Sequence, residues 1–292
     1  MSSRTPAEIV TAYSEAGEHK AERSVGRQFV LAILAGVFIA FGAVAANTGA
    51  HAIGNVSAAK IVSGLLFAFG LGIVMITGAE LFTGNVMIVG SVLDRRTTAG
   101  RMLRNWAVVY AGNFVGALAV AAAIVASGQL GLSSGGLAVY TMKVAAGKIA
   151  HPFGEAFLLG ILCNVLVCTA VLCSMSASDT LGRFAGAYIP VVFFVIAGFE
   201  HSIANMYYIP AGILAARVPE YAALAGQAGV AVDTLTWGGF AGNIVPVTLG
   251  NIVGGLAIAL AMRAGHQERH APVAALPAAS GGADLVPRER AS

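Results

Sequence analysis

The side chains able to do chemistry in this chain are few, and they fall into two clusters. Thr77, Glu80, Thr83 and Asn85 interrupt one long apolar stretch, and Glu200, His201, Ser202 and Asn205 interrupt another. Of the six histidines, only His201 lies deep in apolar sequence. An unperturbed imidazole titrates near neutrality and exchanges donor for acceptor at little cost. His201, set in a polar island, is read as a residue that meets whatever passes through the protein. Glu80 and Glu200 are read first as structural carboxylates, each bonding the exposed amides of its own interrupted segment, with ion handling as the second reading. Ser202 follows His201 directly, and adjacent residues on a helix do not face each other, so the two do not form a catalytic dyad. Cys163, Cys168 and Cys173 stand five apart; five residues turn a helix by about 500°, so the thiols diverge and read as small packing residues. No His/Cys spacing suits zinc. Neither a metal nor a cofactor is expected.

Composition says what must position these clusters. The chain has 292 residues, of which 57% are hydrophobic and only 11% charged. A soluble domain carries roughly 25% charged residues, so this chain could not coat itself against water. A soluble enzyme, a nucleic-acid binder and a disordered protein are thereby disfavoured. A membrane crossing needs roughly 20 apolar residues. Six stretches qualify, at about 29–48, 61–93, 105–127, 155–175, 185–216 and 238–262. Residues 1–28 alternate acids and bases without an apolar cleavable leader, and read as an amphipathic helix along the inner surface. Residues 29–262 form the six-span unit, and 263–292, rich in Ala, Pro and Gly, read as a disordered tail. Within that tail, Leu285-Val286-Pro287-Arg288 resembles a protease-cleavage linker. With six spans, Lys60, Lys143, Lys148 and Arg217 are the only bases on one side; the rest of the 17 Lys and Arg fall on the other. By the positive-inside rule both termini are cytoplasmic, in a bacterial-type inner membrane.

The polar clusters are copies. Gly78-Ala79-Glu80 with Asn85 is echoed by Gly198-Phe199-Glu200 with Asn205. Asn105 and Asn113 in the third span are echoed by Asn243 and Asn251 in the sixth, and Gly112 and Gly116 by Gly250 and Gly254. The first and fourth spans match only weakly. Three spans repeated reverse their direction, which is the inverted repeat of many transporters and channels. Spans 2 and 5 are too long for plain helices. A charge at mid-bilayer costs at least ~2.5 kcal/mol, so their polar patches must face protein or a cavity. Gly78, Gly84 and Gly198 permit bends and Pro210 removes an amide donor. Both spans are therefore read as interrupted helices, with irregular backbone where it lines a cavity or is buried. The glycine pairs read as sites of close helix packing.

The runs Glu80-Leu81-Phe82-Thr83-Gly84-Asn85, Gly198-Phe199-Glu200-His201-Ser202-Ile203-Ala204-Asn205-Met206, Ile161-Leu162-Cys163-Asn164-Val165-Leu166-Val167-Cys168 and Pro246-Val247-Thr248-Leu249-Gly250-Asn251 resemble the signature segments of the formate/nitrite transporter family. The likeness runs from the amphipathic start to about Met262. It implies an all-α, aquaporin-like six-helix protomer, five of which form a ring, each with its own pore. It implies passage of small monovalent anions: formate first, from the run ending Ile209-Pro210-Ala211-Gly212-Ile213, with nitrite and hydrosulfide as alternatives. By the same likeness His201 is the central pore histidine and Thr83 its hydrogen-bonding partner. Phe67, Leu71 and Phe194 would form one apolar collar and Leu81 with Val167 the other, with Asn164 lining the pore between them. Lys148 would be the vestibule lysine, raising the local anion concentration. Its segment, Lys148-Ile149-Ala150-His151, lacks the His that precedes the equivalent of His151 in the family's formate channels. An aquaporin-like channel is opposed by the missing Asn-Pro-Ala turns, and a membrane-embedded enzyme by the missing nucleophile and acid pair. The expected partners are small anions, lipid and copies of the same chain, with no nucleic acid.

Overall fold

The structure is a computed structural model and describes residues 3–266. The expectations for the tail and its cleavage-like motif lie outside the described residues. All described regular elements are helical. Six helical segments are long and apolar enough to cross a membrane: Val25–Ala50, Val56–Thr77, Ala99–Ala126, Phe153–Ser176, Thr180–Ala197 and Trp237–His266.

The N-terminal helix α1 (Pro6–Glu22) starts in a capping box, in which Glu8 accepts from the Thr5 amide and Thr5 accepts from the Glu8 amide. It buries Ile9, Tyr13, Gly17 and Ala21, four residues apart, as one stripe. The first crossing, α2, spans Val25–Ala50, so it begins before the expected boundary at residue 29. The second is divided. Helices α3 (Val56–Phe67) and α4 (Phe69–Thr77) run nearly continuously to Gly78, where the chain turns left-handed at φ 70°. After extended Leu81 it resumes as α5 (Phe82–Asn85), a tight 3-10 turn at Val86–Ile88, and α6 (Val89–Leu93). The third crossing is α7 (Ala99–Ala126).

The second half repeats this plan: α8 (Gly136–Ile149) precedes α9 (Phe153–Ser176) as α1 precedes α2. The fifth crossing breaks after α10 (Thr180–Ala197), at Gly198 with φ 76°, and resumes as α11 (Ser202–Ala215). A short helix, α12 (Pro219–Gln227), leads to α13 (Trp237–His266).

The breaks are placed by glycines. A residue with a Cβ resists left-handed φ, so Gly78 and Gly198 end their helices in the conformation that glycine tolerates best. Gly84 and Pro210, expected to share this work, instead lie within α5 and α11, neither of which breaks there. The small-residue spacing also acts as expected. A Cβ on Gly116 would lie 2.2 Å from the Ile33 carbonyl oxygen, and one on Gly254 would lie 2.3 Å from that of Ile161. Thus α7 meets α2, and α13 meets α9, backbone to backbone.

Candidate functional site

Two polar knots surround the breaks, and their asparagine bonds correspond one to one. The Asn113 side chain accepts from the Phe82 amide (3.0 Å) and donates to the carbonyls of Ala32 (2.8 Å) and Glu80 (2.9 Å). Asn251 accepts from the Ser202 amide (2.9 Å) and donates to the carbonyls of Gly160 (2.8 Å) and Glu200 (3.0 Å). The Asn85 amide donates to Glu80 (2.6 Å) and Asn105 (3.0 Å), and that of Asn205 to Glu200 (2.6 Å) and Asn243 (2.7 Å). The Glu80 amide bonds the Leu31 carbonyl and the Glu200 amide bonds that of Leu159. These ties make α9 the counterpart of α2, an equivalence barely visible in the sequence.

The carboxylates do not cap their own segments, contrary to the first reading of them. The freed amides are taken by Asn113 and Asn251, and the glutamates hold cations. Glu80 pairs with Lys20 (3.3 Å) and with Arg23. Among the described residues Glu200 pairs with Lys148 alone (2.8 Å). Both carboxylates are almost wholly shielded from solvent, where an uncompensated charge costs several kcal/mol. Lys20 and Lys148 are equivalent: their carbonyls accept from Asn105 (3.3 Å) and Asn243 (2.8 Å). Sequence reasoning singled out Lys148 and missed Lys20. The available signal was that each lysine stands twelve residues before the carbonyl its half's asparagine grips, Ala32 or Gly160.

His201 occupies the start of α11, only 2% exposed. Its Nδ1 accepts from the Ala204 amide (3.1 Å), so a neutral ring carries its proton on Nε2. Nε2 stands 3.0 Å from Thr83 Oγ1. The ring therefore donates to Thr83, and the threonine proton is left to point elsewhere. The two broken crossings thus meet side chain to side chain, at the ends of α5 and α11. The Phe194 ring stacks over the imidazole with centroids 5.8 Å apart.

Cavities approach this pair from both sides. One, of about 320 Å³, is lined by Lys60, Lys143, Lys148, Glu200, Phe67, Phe194 and His201. The other, of about 170 Å³, is lined by Lys20, Arg23, Arg183, Glu80, Leu71 and Leu81. Phe67 and Phe194 pack edge to face at 5.9 Å between the first cavity and the core. Leu71, expected beside them, faces the second cavity with Leu81, because one helical turn below Phe67 carries it past the aromatic pair. Val167 is buried in the apolar core that also holds Leu81 and Phe82, and lines neither cavity. Asn164 donates to the carbonyls of Thr83 (3.1 Å) and Asn251 (2.6 Å), tying the resumed part of the second crossing to α13. Its own oxygen is buried without a hydrogen-bond partner among the described residues.

The two resumed segments differ in how they are held. Side chains clamp successive carbonyls beyond the first break: Asn164 and Cys168 on Thr83, Tyr13 on Gly84 (2.7 Å) and the Trp106 indole on Asn85 (2.9 Å). Burial pushes the Tyr13 phenol well above its ordinary pKa, so it stays a donor. The corresponding α11 is a regular helix. Among the described residues no group of three or more His, Cys, Asp and Glu could hold a metal.

The sequence profile described as formate/nitrite transporter matches residues 7–264. The formate channel FocA of Escherichia coli K12 is 39% identical over 255 residues, covering 86% of this chain and 90% of that protein. The formate channel BtFdhC of Bacillus thuringiensis is 33% identical, covering 92% and 98%. A solved pentameric formate channel with formate bound superposes with a TM-score of 0.72 at 35% identity, over 80% of this chain and 93% of that one.

Proposed function

Because the chain belongs to the formate/nitrite transporter family, we propose that it is a membrane channel for small monovalent weak-acid anions, with formate as its main substrate. The names of the similar formate channels and the formate-bound solved relative support that substrate. Five copies in a ring, each with its own pore, follow the solved pentamer. The distribution of Lys and Arg supports cytoplasmic termini, in what we read as a bacterial-type inner membrane. No catalytic role is assigned to any residue.

The observation that carries this reading is the Thr83–His201 contact, buried between two cavities. An anion entering the larger cavity meets Lys148, which has one hydrogen on Glu200 and two more to offer. Glu200 tempers that attraction, so the lysine recruits the anion without trapping it. Beyond lies the Phe67 and Phe194 collar, where a bare ion would lose its hydration at a cost of several kcal/mol. The Thr83 hydroxyl, already accepting from His201 Nε2–H, is free to donate to an anion oxygen there. Full transfer of the Nε2 proton would leave an imidazolate, so the neutral ring shares a proton and does not surrender it. Net passage of the acid form therefore requires a proton taken from water at a cavity and returned on the other side. Leu71 and Leu81 form the second collar, with Val167 packed behind, and Asn164 holds the Thr83 carbonyl in register.

The test is flux of formate, nitrite and hydrosulfide into proteoliposomes at two pH values, for the native chain and for His201→Phe and Thr83→Ala. Formate flux exceeding the other two, with both variants changing its size or pH dependence, is the expected outcome. Native flux and pH dependence in both variants would refute the role given to this pair.

A further inference from the structure

The larger cavity holds more positive charge than one formate needs. Lys60, Lys143 and Lys148 line it, and Glu200 is the only carboxylate among its lining residues. That carboxylate is committed to Lys148 (2.8 Å) and Asn205 (2.6 Å). Lys60 and Lys143 have no ion-pair partner among the described residues. The Lys60 ammonium stands over the break itself: a Cβ on Gly198 would lie 3.4 Å from its Nζ. His151 also lines the space and leans toward Glu155 (3.5 Å). In the opposite cavity the balance differs. Lys20 and Arg23 are both spent on Glu80, and Arg183 donates to the Met75 carbonyl, in about 170 Å³ against about 320 Å³.

We propose that Lys60 and Lys143 form a binding site for a divalent oxyanion or short dicarboxylate, which enters the larger cavity, cannot pass the collar, and blocks the pore from that side. This rests on the anion-channel reading above. Two unengaged ammonium groups in one cavity suit a ligand carrying two negative charges, and a monovalent anion can satisfy only one of them. The same double charge forbids passage, because the cost of desolvating an ion rises with the square of its charge, about fourfold for a dianion at the Phe67 and Phe194 collar. The ligand is thereby held where a monoanion moves on. Both lysines are solvated, so the attraction weakens with salt.

Oxalate is the probe. Formate flux is measured in right-side-out and inside-out membrane vesicles with oxalate added outside, at low and high ionic strength. Block is expected from the face of the larger cavity only. Lys60→Met and Lys143→Met should each raise the half-blocking oxalate concentration about tenfold at low salt, the effect of removing one solvated charge near a dianion. Chloride at matched ionic strength should not block. Normal formate flux that oxalate leaves untouched, block unchanged in both variants, or oxalate crossing as freely as formate would each overturn the proposal. Absence of formate flux in the native chain would instead strike the underlying channel reading. In that case calorimetric titration of oxalate onto the purified protein and both variants still decides the site, since native binding lost in the variants supports it and no native binding refutes it.

Discussion

Replacing Asn251 by leucine is the sharpest test of the paired polar knots. The two side chains share one branched shape, leucine being the bulkier, so the change removes hydrogen bonds without opening a cavity. Two buried backbone groups lose their partner, the Ser202 amide and the Glu200 carbonyl, while the Gly160 carbonyl keeps its helical bond within α9 and loses a second donor. A stranded buried group costs about 1–3 kcal/mol. Even at the low end the sum is ~2 kcal/mol, or roughly thirtyfold in the folding equilibrium. Asn113→Leu strands the Phe82 amide and the Glu80 carbonyl and removes a second donor from the Ala32 carbonyl, so it should cost a similar amount. The assay is thermal unfolding of purified protein in one detergent, with formate flux measured in parallel. Asn251→Leu should also reduce flux, because Ser202 begins the helix that His201 caps. Native melting and flux in either leucine variant, or a large loss in one with none in its twin, would refute the equivalence of the two knots.

The two buried glutamates should respond unequally to losing a lysine. Lys148→Met leaves Glu200 without a cation and should cost about 3–5 kcal/mol, largely restored by adding Glu200→Gln; Lys20→Met leaves Arg23 on Glu80 and should cost clearly less, both read from melting temperatures. Gly250→Ala puts a Cβ 2.1 Å from the Phe157 carbonyl oxygen and should destabilise by about 1–3 kcal/mol, whereas Gly26→Ala, with nothing within 4 Å, should be neutral or better in the same measurement. The Thr5 bonds hold the Glu8 carboxyl below its ordinary pKa. Its contribution to the start of α1 is therefore fully present above the unfolded-state value and lost as pH falls through the folded one, which amide hydrogen exchange across the first turn of α1 should follow, with Glu8→Gln removing the dependence.

The sequence was most legible where a side chain does the work. Glycine is needed at the two left-handed turns, and Asn at the two freed amides, so Gly78, Gly198, Asn113 and Asn251 announced the breaks and the inverted repeat. The first and fourth crossings gave no comparable signal because they contribute carbonyls: Leu31 and Ala32 in one, Leu159 and Gly160 in the other. Any residue supplies a carbonyl, so the equivalence leaves no residue-type signature. The partners of Glu80 were missed for a different reason, since Lys20 and Arg23 come from a segment outside the six apolar stretches. Leu71 lines the cavity opposite the one that Phe67 and Phe194 line, because spacing along a helix gives a residue's face but not its depth relative to rings on another crossing.

The unequal support of the two resumed segments bears on how the chain is assembled. Residues 82–88 owe their shape to Tyr13, Trp106, Asn164 and Cys168, and the last two belong to a helix made much later on the ribosome. Until α9 is synthesised and inserted, the Thr83 carbonyl lacks both of those donors, so that stretch cannot settle beforehand. Its mate after Gly198 is an ordinary helix, held at its start by Asn251 and Asn243 of α13. The threonine side of the nascent protein thus waits for the fourth crossing, and a truncation ahead of α9 should leave that stretch open to proteolysis while the first crossing is already shielded.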